Sequence, residues 1–379
     1  MSKFLNSQFI QSGLFKRSGL DPFLKIIKDQ YTSFGDLTPV AAAANPVLTL
    51  GANSASLGGM VINAADYSRI SYLGGNVIEP YRSTFPANLA RTAKNITFPS
   101  TSEGLQGIVE FNCSCPQFEY FSYGQSVGMR LIVDGEFAGE WDGHPSDGTF
   151  KHVLVDFTAI SASIIDRHIR MEFSGMSPFG GLVLDTSGGV VTAPADQGIS
   201  LCYLGDSFTE CEGAPETRES NGYVGRSAKK IGVNNYAASG FGGTGYVKDL
   251  YPGYGETRPS LEDRQDTDAI NYDAYVVAMG INDDNGVDIS SNINAIFDTL
   301  RTDNPTAPIF VLGTWGNGSG GLIQTNIEGY ISSAVAGRAG FYFIPVYQES
   351  FTKIDSTHPD EAGHIVLGDY VAAQILSLL

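Results

Sequence analysis

The C-terminal half of the sequence alternates apolar runs with amphipathic segments, and this pattern constrains the fold more than any other feature. The apolar runs ISLCYLGD, AYVVAMG, PIFVLGT and FYFIPV predict strands that are buried on both faces. The segments YVGRSAKKIG, NINAIFDTLRTDN, IQTNIEGYISSAVAG and PDEAGHIVLGDYVAAQILSLL predict helices. Buried strands that alternate with helices favour a parallel sheet with helices on both faces, in a domain that spans residues 199–379.

The preceding part of the chain has the pattern of an all-β domain. Short segments such as GIVEFNCSC, GMRLIVDG, KHVLVDF, HIRMEFSG and GLVLDT lie between Gly, Asp and Pro, which predicts strands without intervening helices. The pair Asp134-Gly135 predicts a hairpin turn. We therefore expect a β-sandwich of the jelly-roll type over 86–195. Residues 1–85 are expected to add a short helix around Phe23–Ile27 and irregular strands such as Val47–Leu50.

The charge distribution limits the classes of partner. The formal net charge is −18, and residues 199–379 hold 23 acidic side chains against 10 Lys and Arg. A negative field of this size repels polyanions, so nucleic acid and anionic membranes are disfavoured and neutral substrates are favoured. The N-terminal apolar residues are interrupted by polar ones, which predicts no signal peptide, and no run reaches the roughly 18 apolar residues of a membrane span.

Three polar motifs lie next to the predicted strands and the last helix. Ser207 follows ISLCYLGD, Asn282 follows AYVVAMG, and His358 precedes the last helix with Asp355 three residues before it. Any one of these motifs alone is more often a turn or a surface histidine. Together they supply a hydroxyl, a neutral amide donor and an imidazole with its own carboxylate, which are the groups that nucleophilic acyl transfer needs.

The blocks GDSF, a central Ser-Gly, GxND and DxxHP occur in this order, and they resemble the motifs of the SGNH (GDSL-like) hydrolases. The resemblance covers about residues 199–379. It implies a flavodoxin-like three-layer α/β fold and ester cleavage without a metal or an organic cofactor. It also implies that Ser207 is the nucleophile, that His358 is the base and that Asp355 orients the base.

The resemblance further implies three donors for an oxyanion hole. These are the backbone N–H groups of Ser207 and Gly240 and the side-chain amide of Asn282. The second block is the least specific, because Gly242 and Gly243 compete with Gly240 for the same role.

A β-sandwich ahead of an SGNH domain resembles two-domain carbohydrate esterases and phage tail-associated deacetylases. This likeness implies an acetylated polysaccharide, such as a bacterial surface glycan, as the substrate, with Trp315 and Asp206 as candidate substrate contacts. It also implies a virion or extracellular location after lysis, with a cytoplasmic esterase as the alternative. The N-terminal segment is then a candidate for virion attachment or for homo-oligomer formation.

Two other functions compete with a polysaccharide deacetylase. The first is a lipase or thioesterase that acts on small or lipid esters, and the second is a virion structural protein with a non-catalytic SGNH fold. The loop GFGGTGYVKDLYPGY is polar, aromatic and rich in glycine, which argues against a long apolar acyl channel. The catalytic blocks are intact, which argues against a non-catalytic protein.

Overall fold

A computed structural model describes residues 46–52, 54–64, 66–73, 76–78, 91–93, 107–123, 129–141, 149–173, 179–195, 198–212, 222–250, 258–268, 272–283, 287–316, 322–346 and 349–378. The helix expected around Phe23–Ile27 lies outside these residues. In the described part of the chain, no helix has the length and apolar character to cross a membrane.

The N-terminal part contains thirteen described strands, all paired antiparallel. They are β1 Val47–Leu50, β2 Val61–Asn63, β3 Ser71–Leu73, β4 Asn76–Ile78, β5 Arg91–Ala93, β6 Gly107–Cys113, β7 Gln117–Tyr123, β8 Met129–Val133, β9 Glu136–Trp141, β10 Phe150–Asp156, β11 Arg167–Phe173, β12 Phe179–Leu184 and β13 Val191–Thr192. One sheet has the order β1-β10-β7-β12-β2. The other has the order β13-β6-β11-β8-β9, with β3 paired to β6, and β4 pairs only with β5.

The side-chain alternation of strand β11 shows how the two sheets form a sandwich. Ile169, Met171 and Phe173 point into the core between the sheets. Arg170 and Glu172 point to the opposite face, yet both are buried. The outer face of this sheet is therefore covered by another part of the protein.

The C-terminal part is a five-stranded parallel sheet in the order β15-β14-β16-β17-β18. Its strands are β14 Ser200–Gly205, β15 Asn235–Gly240, β16 Ala274–Ala278, β17 Ile309–Leu312 and β18 Phe341–Ile344. Its helices are α1 Tyr223–Lys230, α2 Leu261–Asp268, α3 Ser290–Asp303, α4 Leu322–Val335 and α5 Glu361–Leu376. α1 and α5 pack in one apolar core with the sheet, whereas α2, α3 and α4 pack in the other. This is the flavodoxin-like, three-layer arrangement, with β14 between two neighbours.

The predicted fold class, a β-sandwich ahead of a three-layer α/β domain, is confirmed, while the jelly-roll type stays a prediction. Asp134 and Gly135 have positive φ angles of 53° and 82°, as a tight hairpin between β8 and β9 requires. The sequence pattern did not indicate β5, β7, β13, β15 and α2. β15 is an edge strand built of small residues, and α2 has the polar sequence LEDRQDTD, so neither has the apolar period that marks an element in a sequence.

A chain of buried ion pairs joins the sandwich to the α/β part. Arg170 on β11 lies 2.7 Å from Glu110 on β6 and 2.7 Å from Glu172, and Glu172 lies 2.7 Å from Lys229 on α1. Burial alone would raise the pKa of Glu172, but the charges of Lys229 and Arg170 hold it well below its usual value. Arg170 also lies over the ring of Tyr236 on β15. Each buried charge is thus paired, as burial demands.

We expect Lys229→Met to destabilise the protein by about 2–4 kcal/mol, because it leaves Glu172 buried without one of its cations. Lys230→Met is the matched control on the same helix. Lys230 pairs with Asp369 at 2.7 Å on a partly exposed surface, so its loss should cost less than about 1 kcal/mol. Urea unfolding of the two variants measures the difference. Equal effects would contradict a structural role for the Lys229 pair.

Candidate active site

The turn after β14 places Ser207 at the carboxyl edge of the sheet. The turn is closed by backbone hydrogen bonds from Glu210 N–H to Asp206 C=O and from Glu212 N–H to Ser207 C=O, at 2.9 and 3.0 Å. A Cβ atom on Gly205 would overlap the Thr209 side chain, so the turn can approach the strand only because residue 205 is glycine. Ser207 is thereby held at the end of a strand that has neighbours on both sides.

Ser207, His358 and Asp355 form a continuous chain of hydrogen bonds. Ser207 Oγ lies 3.0 Å from His358 Nε2, and His358 Nδ1 lies 2.7 Å from Asp355 Oδ2. The second oxygen of Asp355 accepts from the backbone N–H groups of Thr357 and His358, both at 2.6 Å. The bonds to the His358 side chain and to these two amides lower the pKa of Asp355 to about 2. An ionised carboxylate on Nδ1 leaves Nε2 as the acceptor that faces the hydroxyl, which is the arrangement that activates a serine nucleophile.

The loop that carries His358 is fixed on both sides. Ile354 N–H donates to His358 C=O at 3.0 Å, and Asp360 N–H donates to Thr352 C=O at 3.1 Å. The Asp360 side chain then caps α5 by accepting from Gly363 N–H at 2.8 Å. The start of the last helix therefore sets the position of the histidine.

Asn282 and Asp283 follow β16 and hold the loop after β15. Asn282 Nδ2 donates to Thr244 C=O at 2.9 Å, and within the described part of the chain the second N–H of the same amide has no protein acceptor and can bind a ligand. The buried Asp283 carboxylate accepts from three successive backbone N–H groups, at residues 246, 247 and 248. The sequence pattern indicated Asn282 as a functional residue but did not indicate Asp283, because a carboxylate that binds backbone amides has no sequence signature.

The three glycines of the second block differ in their surroundings. A Cβ atom on Gly240 would overlap the backbone of Glu210, so this glycine allows the turn that carries Ser207 to lie against β15. Gly242 N–H donates to Glu210 Oε2 at 2.6 Å and is thus already bound. Gly243 has a φ of 78° and lies against Leu250. The assignment of Gly240 as an oxyanion donor stays a prediction.

The structure corrects both expected substrate contacts. Trp315 is 1% exposed, stacks on Phe208 at 5.5 Å between ring centroids and lies edge-on to Tyr223, so its ring has no free face for a sugar. Asp206 is fully buried, and one of its oxygens accepts from Phe208 N–H at 3.0 Å. Burial raises the pKa of Asp206 to about 7. Both side chains are enclosed by the protein, so neither is available to a substrate.

Two more side chains near the serine were not indicated by the sequence. Glu212 Oε2 lies 3.3 Å from His358 Nε2, the same ring nitrogen that faces Ser207. His364 on α5 is buried, donates from Nε2 to Glu212 C=O at 3.3 Å and accepts at Nδ1 from Tyr223 N–H at 3.3 Å. His364 thus connects the end of the turn that carries Ser207 to the start of α1.

Across the residues that the structure describes, no group of three or more His, Cys, Asp or Glu side chains is arranged to hold a metal ion.

The sequence matches one family model, and a search of curated proteins finds no match. The model of the GDSL-like lipase/acylhydrolase family matches residues 203–365, which include Ser207 and His358. No curated protein matches the sequence.

Comparison with solved structures gives extensive matches at low sequence identity. Salicylyl-acyltransferase SsfX3 from a tetracycline biosynthetic pathway is 14% identical with a TM-score of 0.63, and the match covers 84% of this chain and 98% of that chain. A family two carbohydrate esterase from Cellvibrio japonicus is 14% identical with a TM-score of 0.62, covering 87% and 99%. One from Clostridium thermocellum, in complex with cellohexaose, is 17% identical with a TM-score of 0.58, covering 82% and 98%. These matches cover 82–87% of this chain, whereas residues 199–379 are less than half of it. The shared fold therefore includes the sandwich.

The buried His364 gives a prediction for the pH dependence of stability. Burial lowers its pKa to about 4, against about 6.5 in an unfolded chain. Between these values the unfolded state binds more protons, so acidification from pH 6.5 to 4 should remove about 3 kcal/mol of stability that His364→Gln does not lose. Urea unfolding of both proteins at pH 7, 6 and 5 measures the change. A constant difference between them over this range would show that His364 is not buried as a neutral imidazole.

Proposed function

We propose that the protein removes acetyl groups from an acetylated polysaccharide. Residues 203–365 form a GDSL-like hydrolase domain of the SGNH type, and the protein is a carboxylic ester hydrolase. The observation that carries the proposal is the hydrogen-bonded chain Ser207–His358–Asp355 at the carboxyl edge of the parallel sheet. In open α/β sheets, ligands bind at this edge.

The geometry supports acyl transfer through a serine ester. His358 Nε2 takes the Ser207 proton as Oγ attacks the ester carbonyl, and the imidazolium that forms is stabilised by Asp355. The same nitrogen then gives the proton to the alcohol oxygen as the ester bond breaks. In the second half of the reaction, His358 takes a proton from water, the hydroxide attacks the acetyl-enzyme, and Ser207 leaves with the proton while acetate is released.

The oxyanion that develops needs hydrogen-bond donors. We assign the backbone N–H groups of Ser207 and Gly240 and the free N–H of the Asn282 amide to this role. Asn282 is held by its bond to Thr244 C=O, so its amide is oriented before the substrate arrives. Such donors contribute most when they need no reorganisation during the reaction.

Two observations support a small acyl group and a polymeric alcohol. A Cβ atom on Gly242 would lie 2.8 Å from Glu210 Oε2, 2.9 Å from Arg258 Nη1 and 3.4 Å from Cβ of Ser207, so backbone and the Glu210–Arg258 ion pair close one side of the nucleophile. The sandwich is part of the fold shared with the family two carbohydrate esterases, which favours a carbohydrate as the alcohol.

We expect Ser207→Ala to lower kcat by about 10³-fold or more, because the acyl-enzyme cannot form without the hydroxyl. The melting temperature should stay near that of the unchanged protein. Release of p-nitrophenol from p-nitrophenyl acetate measures the activity. Ser332→Ala on α4 is the control, since its hydroxyl bonds only within its helix. Comparable turnover by Ser207→Ala would remove Ser207 from the mechanism.

We expect acetate esters to be cleaved faster than longer ones. A pocket that closes near the nucleophile discriminates by about 10-fold or more for each added methylene that it excludes. The measurement is kcat/KM on p-nitrophenyl acetate, butyrate and octanoate, followed by acetate release from acetylated xylan and acetylated bacterial glycans. Faster cleavage of octanoate would favour a lipase. Preference for acetate without release from any glycan would leave an acetyl esterase and refute the polysaccharide substrate.

A further inference from the structure

Two groups converge on one nitrogen of the base. His358 Nε2 lies 3.0 Å from Ser207 Oγ and 3.3 Å from Glu212 Oε2. The mechanism accounts for the first contact and gives Glu212 no role. In the proposed mechanism, Nε2 exchanges protons with Ser207 Oγ, with the alcohol oxygen of the substrate and with water. The Glu212 carboxylate lies close to this nitrogen and therefore close to each of these oxygens.

The position of Glu212 is set by its backbone. Cys211 has a φ of 64°, which turns the chain back over the serine. Glu212 N–H then donates to Ser207 C=O at 3.0 Å, and Glu212 C=O accepts from His364 Nε2 at 3.3 Å. The backbone is thus anchored at both of its polar groups, while about half of the side chain is exposed.

The Glu212 carboxylate has acceptor capacity to spare. In the neutral imidazole, Nε2 carries no proton because Nδ1–H faces Asp355, so Nε2 accepts from Ser207 and has nothing to donate to Glu212. Among the residues that the structure describes, no other donor bonds this carboxylate. An open carboxylate next to the reacting atoms binds hydroxyl groups through charge-assisted hydrogen bonds.

The chemistry of the leaving group indicates which hydroxyl this is. The alcohol oxygen receives its proton from Nε2, so it lies within about 3 Å of that nitrogen in the reacting complex. In a gauche 1,2-diol the neighbouring hydroxyl oxygen is about 3 Å from the ester oxygen. In a substrate orientation that turns this hydroxyl toward Glu212, the hydroxyl comes within hydrogen-bond reach of Oε2, which lies 3.3 Å from Nε2.

We propose that Glu212 is a specificity-determining residue that accepts a hydrogen bond from the hydroxyl next to the ester in the alcohol portion of the substrate. The enzyme therefore prefers monoesters of 1,2-diols, the arrangement in a partly acetylated sugar ring. The inference rests on the proposed deacetylase function and narrows it to esters with a free vicinal hydroxyl. Because about half of the Glu212 side chain is exposed, water can take the place of the hydroxyl when that group is absent or methylated, so we expect a moderate discrimination of about 10-fold.

The test compares three esters with one acyl group. They are trans-cyclohexane-1,2-diol monoacetate, its monomethyl ether acetate and cyclohexyl acetate. Acetyl migration in the diol regenerates the same compound, so the comparison is not blurred by isomers. The readout is acetate release, expressed as the ratio of kcat/KM for the diol monoester to that for the methyl ether.

We expect a ratio of about 10 or more for the unchanged protein and a ratio near 1 for Glu212→Ala. Glu212→Gln has nearly the same shape and only a neutral acceptor, so its ratio should be intermediate. Glu262→Gln on α2 makes the same change of charge away from the site and should keep the full ratio. The ratio is internal to each variant, so it does not depend on how much overall activity the variant retains.

Each result decides a different point. A ratio near 1 for the unchanged protein, or an unchanged ratio in Glu212→Ala and Glu212→Gln, overturns the role of Glu212. A high ratio that falls in both variants supports it. If the unchanged protein releases acetate from these small esters but from no acetylated glycan, the polysaccharide proposal fails while the role of Glu212 is still decided by the ratios.

Discussion

The close contact between the turn after β14 and the end of β15 is the constraint on which the site depends. Two glycines, Gly205 and Gly240, remove the side chains that would otherwise separate these segments. The buried Arg264 then binds Gly205 C=O at 2.8 Å and Ser239 Oγ at 2.7 Å, which holds the two strand ends together. With the turn pressed against the sheet, Ser207, Glu210 and Glu212 have little freedom. Ser207 is therefore positioned by backbone packing before any substrate binds.

The acids around the serine divide by environment. Asp355 is half-exposed and accepts three hydrogen bonds, which lower its pKa to about 2. Asp206 is enclosed by the sheet edge, where burial raises its pKa to about 7. Burial also raises the pKa of Asp283, although three backbone amides donate to it. The ionised carboxylate of Asp355 thereby lies beside His358, where it stabilises an imidazolium, while burial disfavours the charged form of Asp206, whose negative charge would oppose an oxyanion at the neighbouring Ser207.

Features that depend on local patterns of apolar and polar residues could be predicted from the sequence. The positions of Ser207, Asn282 and His358 at element ends follow from the alternation of apolar and amphipathic segments, and the structure brings Ser207, His358 and Asp355 together.

Features that depend on distant contacts could not be predicted. Trp315 follows a strand, as a residue at the mouth of a site would, but its burial is decided by Phe208 and Tyr223, which come from other segments. Glu212 is an ordinary loop residue until Cys211 reverses the chain. The outward charges of β11 likewise look solvent-exposed in a sequence.

The chain of ion pairs from Glu110 to Lys229 also has a mechanical consequence. A hinge motion between the sandwich and the α/β part would separate buried charges in an apolar setting, so the two parts should move as one rigid body. A sandwich exchanged from another protein would have to bring matching charges with it.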